Sequence, residues 1–274
     1  MSSTIALPQI PKQPVEIVEM ADLDLPPLPQ IAMQLLDLVQ QPLADPKRVV
    51  QLVHGDQSLA SRVLRIANSA SYRGVTEIVS LQQAVARLGA NLLGELAAAA
   101  TMQQAFQAPR YQLALRQRWQ RSFATALFAK EIARSSRANV EMAFLCGLMH
   151  NAGESAVLHI LSKSKKNFSR EQVEDQVERQ APKMADRLAD AWKLPSRVRE
   201  AMCHHEEPSE APSFAHEAAT VHLAALVCRV TLEGEEASPH EDEAVALLNL
   251  YPDEVDAVLA KAEDIRAAVS RVGG

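Results

Sequence analysis

Aromatic side chains are scarce in this 274-residue chain: Phe, Trp and Tyr together make up 4%, and only two of them are tryptophan. β-Sheets draw on aromatic and β-branched residues, so a sequence poor in aromatics and rich in Ala and Leu favours helices. Cysteine is also rare. Cys146, Cys203 and Cys228 are scattered without metal-ligand spacing. Their odd number, without a secretory signal, fits reduced thiols in a cytoplasmic protein. Basic residues are not in excess: 28 Lys and Arg stand against 34 Asp and Glu, a formal net charge of -6. That balance argues against a general nucleic-acid binder. No apolar run reaches membrane-spanning length; residues 88–102 come nearest, and Asn91 and Glu95 break them. The N-terminus carries Pro8, Pro11 and Pro14 and no basic start before an apolar stretch, so it does not read as a signal peptide. What remains is 47% hydrophobic and long enough to bury a substantial core.

Taken in order, the chain reads as one helix after another. Residues 1–13 are a Pro-rich arm, and residues 15–23 could form a short first helix. Pro26, Pro27 and Pro29 precede a helix with Ile31, Leu35, Leu38 and Val39 at helical spacing. Asp45-Pro46 reads as an N-cap and first-turn proline. Asp56 caps the next helix, which turns Leu59, Val63 and Leu64 inward and ends at Asn68 and Ser69. Gly74 marks a loop, Ser80 with Gln83 predicts a capping box, and Gly89 breaks the helix that follows. Residues 91–105 form an Ala-rich helix. After Pro109, the stripe Leu115, Trp119, Phe123 and Leu127 predicts a long core-facing helix ending near Ser135. Ser169 and Gln172 predict another capping box, and Pro182 is expected to separate two helices. Residues 196–205 and 214–231 are helical, residues 233–243 an acidic turn, and two helices over 242–250 and 252–272 finish the chain. No period-two strand pattern and no repeat is present. The fold class is all-α.

The most informative stretch is AFLCGLMHNAGESAVL, residues 143–158. It has the apolar spacing of a buried helix, yet it contains His150, Asn151 and Glu154. Polar groups at core depth need partners. His150 and Glu154, four apart, would share one helix face. They are either a remnant ligand pocket or a satisfied polar network. A second candidate is Cys203, His204, His205 and Glu206. Adjacent helical positions point about 100° apart, so at most one of the two histidines would face His150. A Cys-His nucleophilic pair needs geometry that adjacency does not supply. Arg116, Arg118, Arg121, Lys130, Arg134 and Arg137 form a basic series, either a solvated helix face or a surface for an acidic partner or phosphate. Asp56, Arg62, Arg65, Asn68 and Ser69 read as caps and a solvated face, with a docking role for Arg62, Arg65 and Arg73 left open. There is no Gly-rich phosphate loop.

Several blocks, met in order, resemble the HDOD domain, the HD-related output domain of bacterial signalling proteins. They are LPPLPQIAMQLLDLV, DQSLASRVLRIANSASY, SLQQAVARLGA, RWQRSFATALFAKEIA, AFLCGLMHNAGESAVL, VREAMCHHEEP and VHLAALVCRV, and they cover about residues 23–230. Gln57 departs from the family's usual Pro. The resemblance implies a two-lobed helical bundle: an N-terminal HDOD-specific lobe over 14–109, an HD-like lobe over 110–232 and a C-terminal extension over 233–274. The second lobe is similar to metal-dependent HD phosphohydrolases. There a His, a His-Asp pair and a later Asp hold a divalent metal that activates water. The resemblance places these positions at Arg121 (or Ser122), His150, Asn151 and Ala225, so His150 alone keeps its type. A hard cation wants carboxylates and neutral imidazoles; Asn is weaker, Ala supplies nothing and Arg repels. The expectation is a degenerate site with no metal, no cofactor and no catalysis, in which Arg121 takes the place of the metal's charge and pairs with an acid such as Glu154. The chain would then be a cytoplasmic regulatory module that binds receiver, GGDEF or EAL domain proteins in trans. It would bind them through the crevice between its lobes or a surface of the first. The alternatives are residual phosphohydrolysis of nucleotides or cyclic dinucleotides, and nucleotide sensing without turnover.

Overall fold

The structure, a computed structural model, describes residues 25–39, 41, 44–68, 77–102 and 104–272. The helix expected over 15–23, the loop at Gly74, and Ser69 and Arg73 lie outside these residues. Among the described residues there is no strand.

The first lobe contains α1 (Gln30–Val39), α2 (Pro46–His54), α3 (Gln57–Ala67), α4 (Leu81–Leu88) and α5 (Ala90–Met102). Its helix starts follow from short polar side chains that accept otherwise orphaned N–H groups. The Asp45 carboxylate accepts from the Lys47 N–H and the Asp56 carboxylate from the Leu59 N–H, both at 3.0 Å. Ser80 accepts from the Gln83 N–H, while Gln83 reaches back to the Val79 N–H rather than to Ser80, a capping box displaced by one residue. Gly89, at φ 83°, makes the left-handed break between α4 and α5. Asn68 ends α3 and ties the chain down twice. Its Nδ2 donates to the Leu64 and Ile78 carbonyls and its Oδ1 accepts from the Ile78 N–H.

The second lobe contains α6 (Gln112–Ser135), α7 (Val140–Met149), α8 (Ala152–Lys163), α9 (Arg170–Ala191), α10 (Ser196–His204) and α11 (Ala215–Cys228). The stripe of α6 buries Trp119, Phe123 and Leu127 as its spacing predicts. The capping box of α9 is present, with Ser169 and Gln172 bonding each other's backbone. A π turn, Arg229–Glu233, extends α11. Then α12 (Glu243–Leu247), α13 (Pro252–Leu259) and α14 (Ala262–Val272) complete the chain. The last of these packs on both α3 and α6, so the C-terminal extension touches both lobes. One apolar core runs from Ala32 on α1 through α5, α6 and α7 to Val258 on α13. Trp192 Nε1 donates to the Pro26 carbonyl at 2.8 Å, a further tie between lobes.

Three sequence expectations are corrected. Residues 143–158 are two helices, not one: α7 ends before His150 and α8 begins after Asn151. Pro182 does not separate helices but sits inside α9. The bond it removes is the one the Glu178 carbonyl would accept; Glu178 and Pro182 are both on the exposed side, where water can replace it. The apolar stripe Val177, Met184, Ala185 and Leu188 continues on the other side and holds the helix together. Finally, residues 252–272 break into α13 and α14 around Ala260 and Lys261.

Candidate functional site

The break between α7 and α8 is where the candidate site is built. Glycines on either side allow it. A Cβ on Gly147 would lie 2.7 Å from the Ala126 Cα of α6, and one on Gly153 would lie 2.3 Å from the Ala181 carbonyl of α9. Only glycine permits these approaches, so α7 presses on α6 and α8 on α9 with the turn between them. His150 and Asn151 occupy that turn and are 5% and 4% exposed.

His150 Nδ1 lies 2.7 Å from the Gly147 carbonyl, so the proton is on Nδ1 and Nε2 is bare. Burial, then the neighbouring His205 and the arginines Arg121 and Arg229, push its pKa from 6.5 down to about 3. The ring is therefore neutral at physiological pH. His205 stands edge-on to it, with ring centroids 5.2 Å apart. Burial lowers its pKa also. As expected for neighbours on a helix, one histidine of the pair, His205, faces His150. His205 is anchored in turn: its Nδ1 is 3.2 Å from the Met202 carbonyl, and its own carbonyl accepts from His222 Nδ1 at 2.7 Å. His222 Nε2 faces Asp242 Oδ2 at 3.1 Å. Glu206 is exposed.

The cations differ from expectation in one respect. Arg121 does not pair with Glu154. It makes a two-pronged bond to Glu233 in the π turn, Nε to Oε1 at 2.7 Å and Nη2 to Oε2 at 2.9 Å. Glu154 belongs to Arg118, at 2.6 Å, and Arg118 also holds Glu174 at 2.7 Å. The reason is the helix break: with His150 outside both helices, Glu154 lies in the first turn of α8, and the i,i+4 relation to His150 no longer defines a shared face. Arg118, three residues before Arg121, reaches Glu154 first. Ala225 is buried in α11 and supplies no ligand atom.

These residues do not fit a divalent metal. Around His150 stand a second neutral histidine, the carboxamide of Asn151 and two arginine charges. Among the described residues, no group of three or more His, Cys, Asp or Glu is placed to hold a metal ion. Asn151 Nδ2 is buried without a hydrogen-bond partner among the described residues, a cost carried by a polar side chain at a position where the HD pair would have a carboxylate. A nucleophilic Cys203 is also disfavoured, because burial pushes its thiol up to about 11.

His222, Asp242 and Glu233 were not singled out by the sequence. Each acts across at least 17 residues of chain, and nothing local marks them. Of the group Asp56, Arg62, Arg65, Asn68 and Ser69, Asp56 and Asn68 are caps. Arg62 and Arg65 turn instead toward a cleft of about 1070 Å³ between the lobes. Its walls come from α3, the end of α5 and the residues after it, the first turns of α6, the ends of α7 and α8 that meet at the break, and Trp192. Arg121, His150, Asn151, Ala225, His204 and His205 are not among its lining residues.

Comparison with known proteins agrees with this geometry. Residues 25–208 match the model of the HDOD domain. An HDOD domain protein of unknown function from Geobacter sulfurreducens superposes with a TM-score of 0.75 at 23% identity, covering 91% of this chain and 93% of its own. A protein from Shewanella amazonensis SB2B, named as a phosphohydrolase, superposes at 0.68 with 22% identity, over 91% and 94%. At such identity these structures speak for the fold. An uncharacterized protein of Treponema pallidum (strain Nichols) is 25% identical over 245 residues, 83% of this chain. The chain spans 46% of that relative's length. The match to the family model covers two thirds of the sequence and takes in both lobes and the histidine turn: the chain belongs to the HDOD family.

Proposed function

We propose that this chain is a non-catalytic regulatory module of bacterial signal transduction, acting by binding rather than by turnover. The observation that carries this reading is the charge around His150. A hydrolytic HD centre concentrates negative ligands on a cation; here two arginines, Arg121 and Arg229, lower the pKa of an already neutral histidine. A cation entering this turn would meet two guanidinium groups, and the carboxylates nearest them, Glu233 and Glu235, are already engaged by those arginines. Catalysis by metal-activated water has no foothold in such a site.

No described helix is long and apolar enough to cross a membrane. Together with unpaired thiols, this supports a cytoplasmic module. The partners that suit it are signalling proteins met in trans, of the receiver, GGDEF or EAL kinds. The test has two arms. Metal analysis of the purified protein, with a phosphodiesterase assay in manganese, should give substoichiometric metal and no turnover; stoichiometric tightly held metal or turnover lost in His150→Ala would overturn the reading. Pairwise binding assays against the receiver, GGDEF and EAL proteins of the same cell should find at least one saturable partner, and saturable binding to none of them would count against regulation through those partners.

A further inference from the structure

The arginines of the molecule fall into two groups. In the second lobe most are neutralised: Arg118, Arg197, Arg199 and Arg229 each meet a carboxylate at 2.6–2.7 Å. Two arginines of the cleft are not. Arg62, half-buried on α3, donates only to neutral oxygens: the Ala100 carbonyl and Ser58 Oγ at 3.3 Å, and the Gln104 amide oxygen at 2.9 and 2.8 Å once that amide is turned toward it. Arg116, on the first turns of α6, has no ion pair or hydrogen bond among the described residues. Arg65 lines the same cleft, and among the described residues no Asp or Glu does. In a chain of net charge -6, this is a local reversal of sign, built from both lobes at once.

The rest of the cleft is of a different character. Trp119 and Trp192 line it, and Phe106 lies against Trp192 with ring centroids 5.6 Å apart. Trp119 is 8% exposed, and its indole N–H has no acceptor among the described residues. Small-molecule pockets are mostly apolar cavities of about 300–1,000 Å³ with a few directed polar groups. At about 1070 Å³ this cleft has room for a small organic molecule and is far larger than an isolated ion needs. Guanidinium forks match phosphate oxygens, and aromatic walls match a flat ring.

We infer that the inter-lobe cleft is a binding site for a nucleotide-class phosphate ester, its phosphate held between Arg62 and Arg116 and its ring against the tryptophan-lined wall. This goes beyond the regulatory reading: Arg121, His150, Asn151 and Ala225 do not line the cleft, although Ser122, Met149 and Ala152 bring its wall up to the histidine turn. Both tryptophans of the chain lie in it, so intrinsic tryptophan fluorescence reports on this cleft alone.

The experiment titrates the full chain with AMP, GMP, ATP, cyclic di-GMP, inorganic pyrophosphate, adenosine and an acidic peptide, following tryptophan fluorescence and, in parallel, calorimetry. At least one nucleotide should saturate both signals, while adenosine and pyrophosphate bind at least tenfold more weakly. Arg116→Gln, which touches an exposed and unpartnered side chain, should weaken that binding by about tenfold, and Arg62→Gln similarly. Arg121→Gln, outside the cleft, should leave it unchanged. Circular dichroism of each variant separates loss of binding from loss of fold. No saturable nucleotide signal at millimolar concentration would overturn the inference, as would tighter binding of the acidic peptide, or nucleotide binding that survives Arg116→Gln and disappears in Arg121→Gln. Metal-dependent turnover would overturn the regulatory reading and leave this one standing.

Discussion

At the scale of single residues, His150 sets a pH dependence whose sign can be stated. Its folded pKa, about 3, lies below the 6.5 of an exposed histidine. Between these values the unfolded chain binds the proton and the folded chain does not, so stability rises with pH through this window. The contribution is fully present above pH 6.5 and is lost as pH falls toward 3, with a ceiling of about 5 kcal/mol. Urea midpoints measured across this range should climb with pH in the native protein, and the climb should shrink in His150→Gln. Arg121 and Glu233 make a contrasting case. Their side chains are 39% and 37% exposed, so solvent screens the pair. Glu233→Gln should therefore cost about 1 kcal/mol or less in a denaturant titration. The family resemblance singled out His150, Asn151 and Ala225, and all three are buried. The partner of Arg121 could not be foreseen, because Glu233 is 112 residues away and competes with Glu154, which Arg118 takes.

At the scale of elements, the sequence displayed its helix starts and concealed its helix breaks. Asp45, Asp56, Ser80 and Ser169 cap where their residue types say they should, since a cap is a local bond between neighbours. The division between α7 and α8 depends instead on how closely Gly147 and Gly153 let other helices approach. The same logic saves α9 across Pro182, where an exposed carbonyl and a continuous buried stripe outweigh the lost bond. Gly153→Ala tests the first point. Its new methyl group would meet the Ala181 carbonyl at 2.3 Å, backbone that cannot step aside. The melting temperature should fall, with a loss of about 1–3 kcal/mol. An unchanged melting temperature would mean that α8 and α9 can separate freely.

At the scale of the whole molecule, the lobes are joined by more than chain connection. Lys130 of α6 and Glu95 of α5 form an ion pair at 2.6 Å, with side chains 10% and 3% exposed. The ammonium also lies over the Phe144 ring, 5.3 Å from its centroid. Removing one member strands a buried charge, so Glu95→Leu should cost about 3–5 kcal/mol, whereas Glu95→Leu with Lys130→Met should recover most of it. A double-mutant cycle on thermal stability checks this, and additive losses would show that the two charges act independently. The all-α class could be foreseen from composition and helical spacing, and the two lobes from the family resemblance. The resemblance also implied a crevice between the lobes, but not its lining: the walls come from residues between 58 and 192 whose roles, as cap neighbours, core stripe and helix ends, give no sign that they meet.

Helix α6 has a consequence of its own. Its first turns furnish Arg116 and Trp119 to the cleft, and two residues beyond Trp119 the same rod presents Arg121 toward Glu233, near the paired imidazoles. It is a party wall between the cleft and the histidine turn. A stiff rod cannot shift on one side only, so an occupant that pushes on the cleft wall must be felt behind it. Imidazole resonances of His150 and His205 should move when the cleft fills, and resonances that stay put would mean that the wall is deaf. The histidine turn would then keep a second career, as the listening side of the cleft.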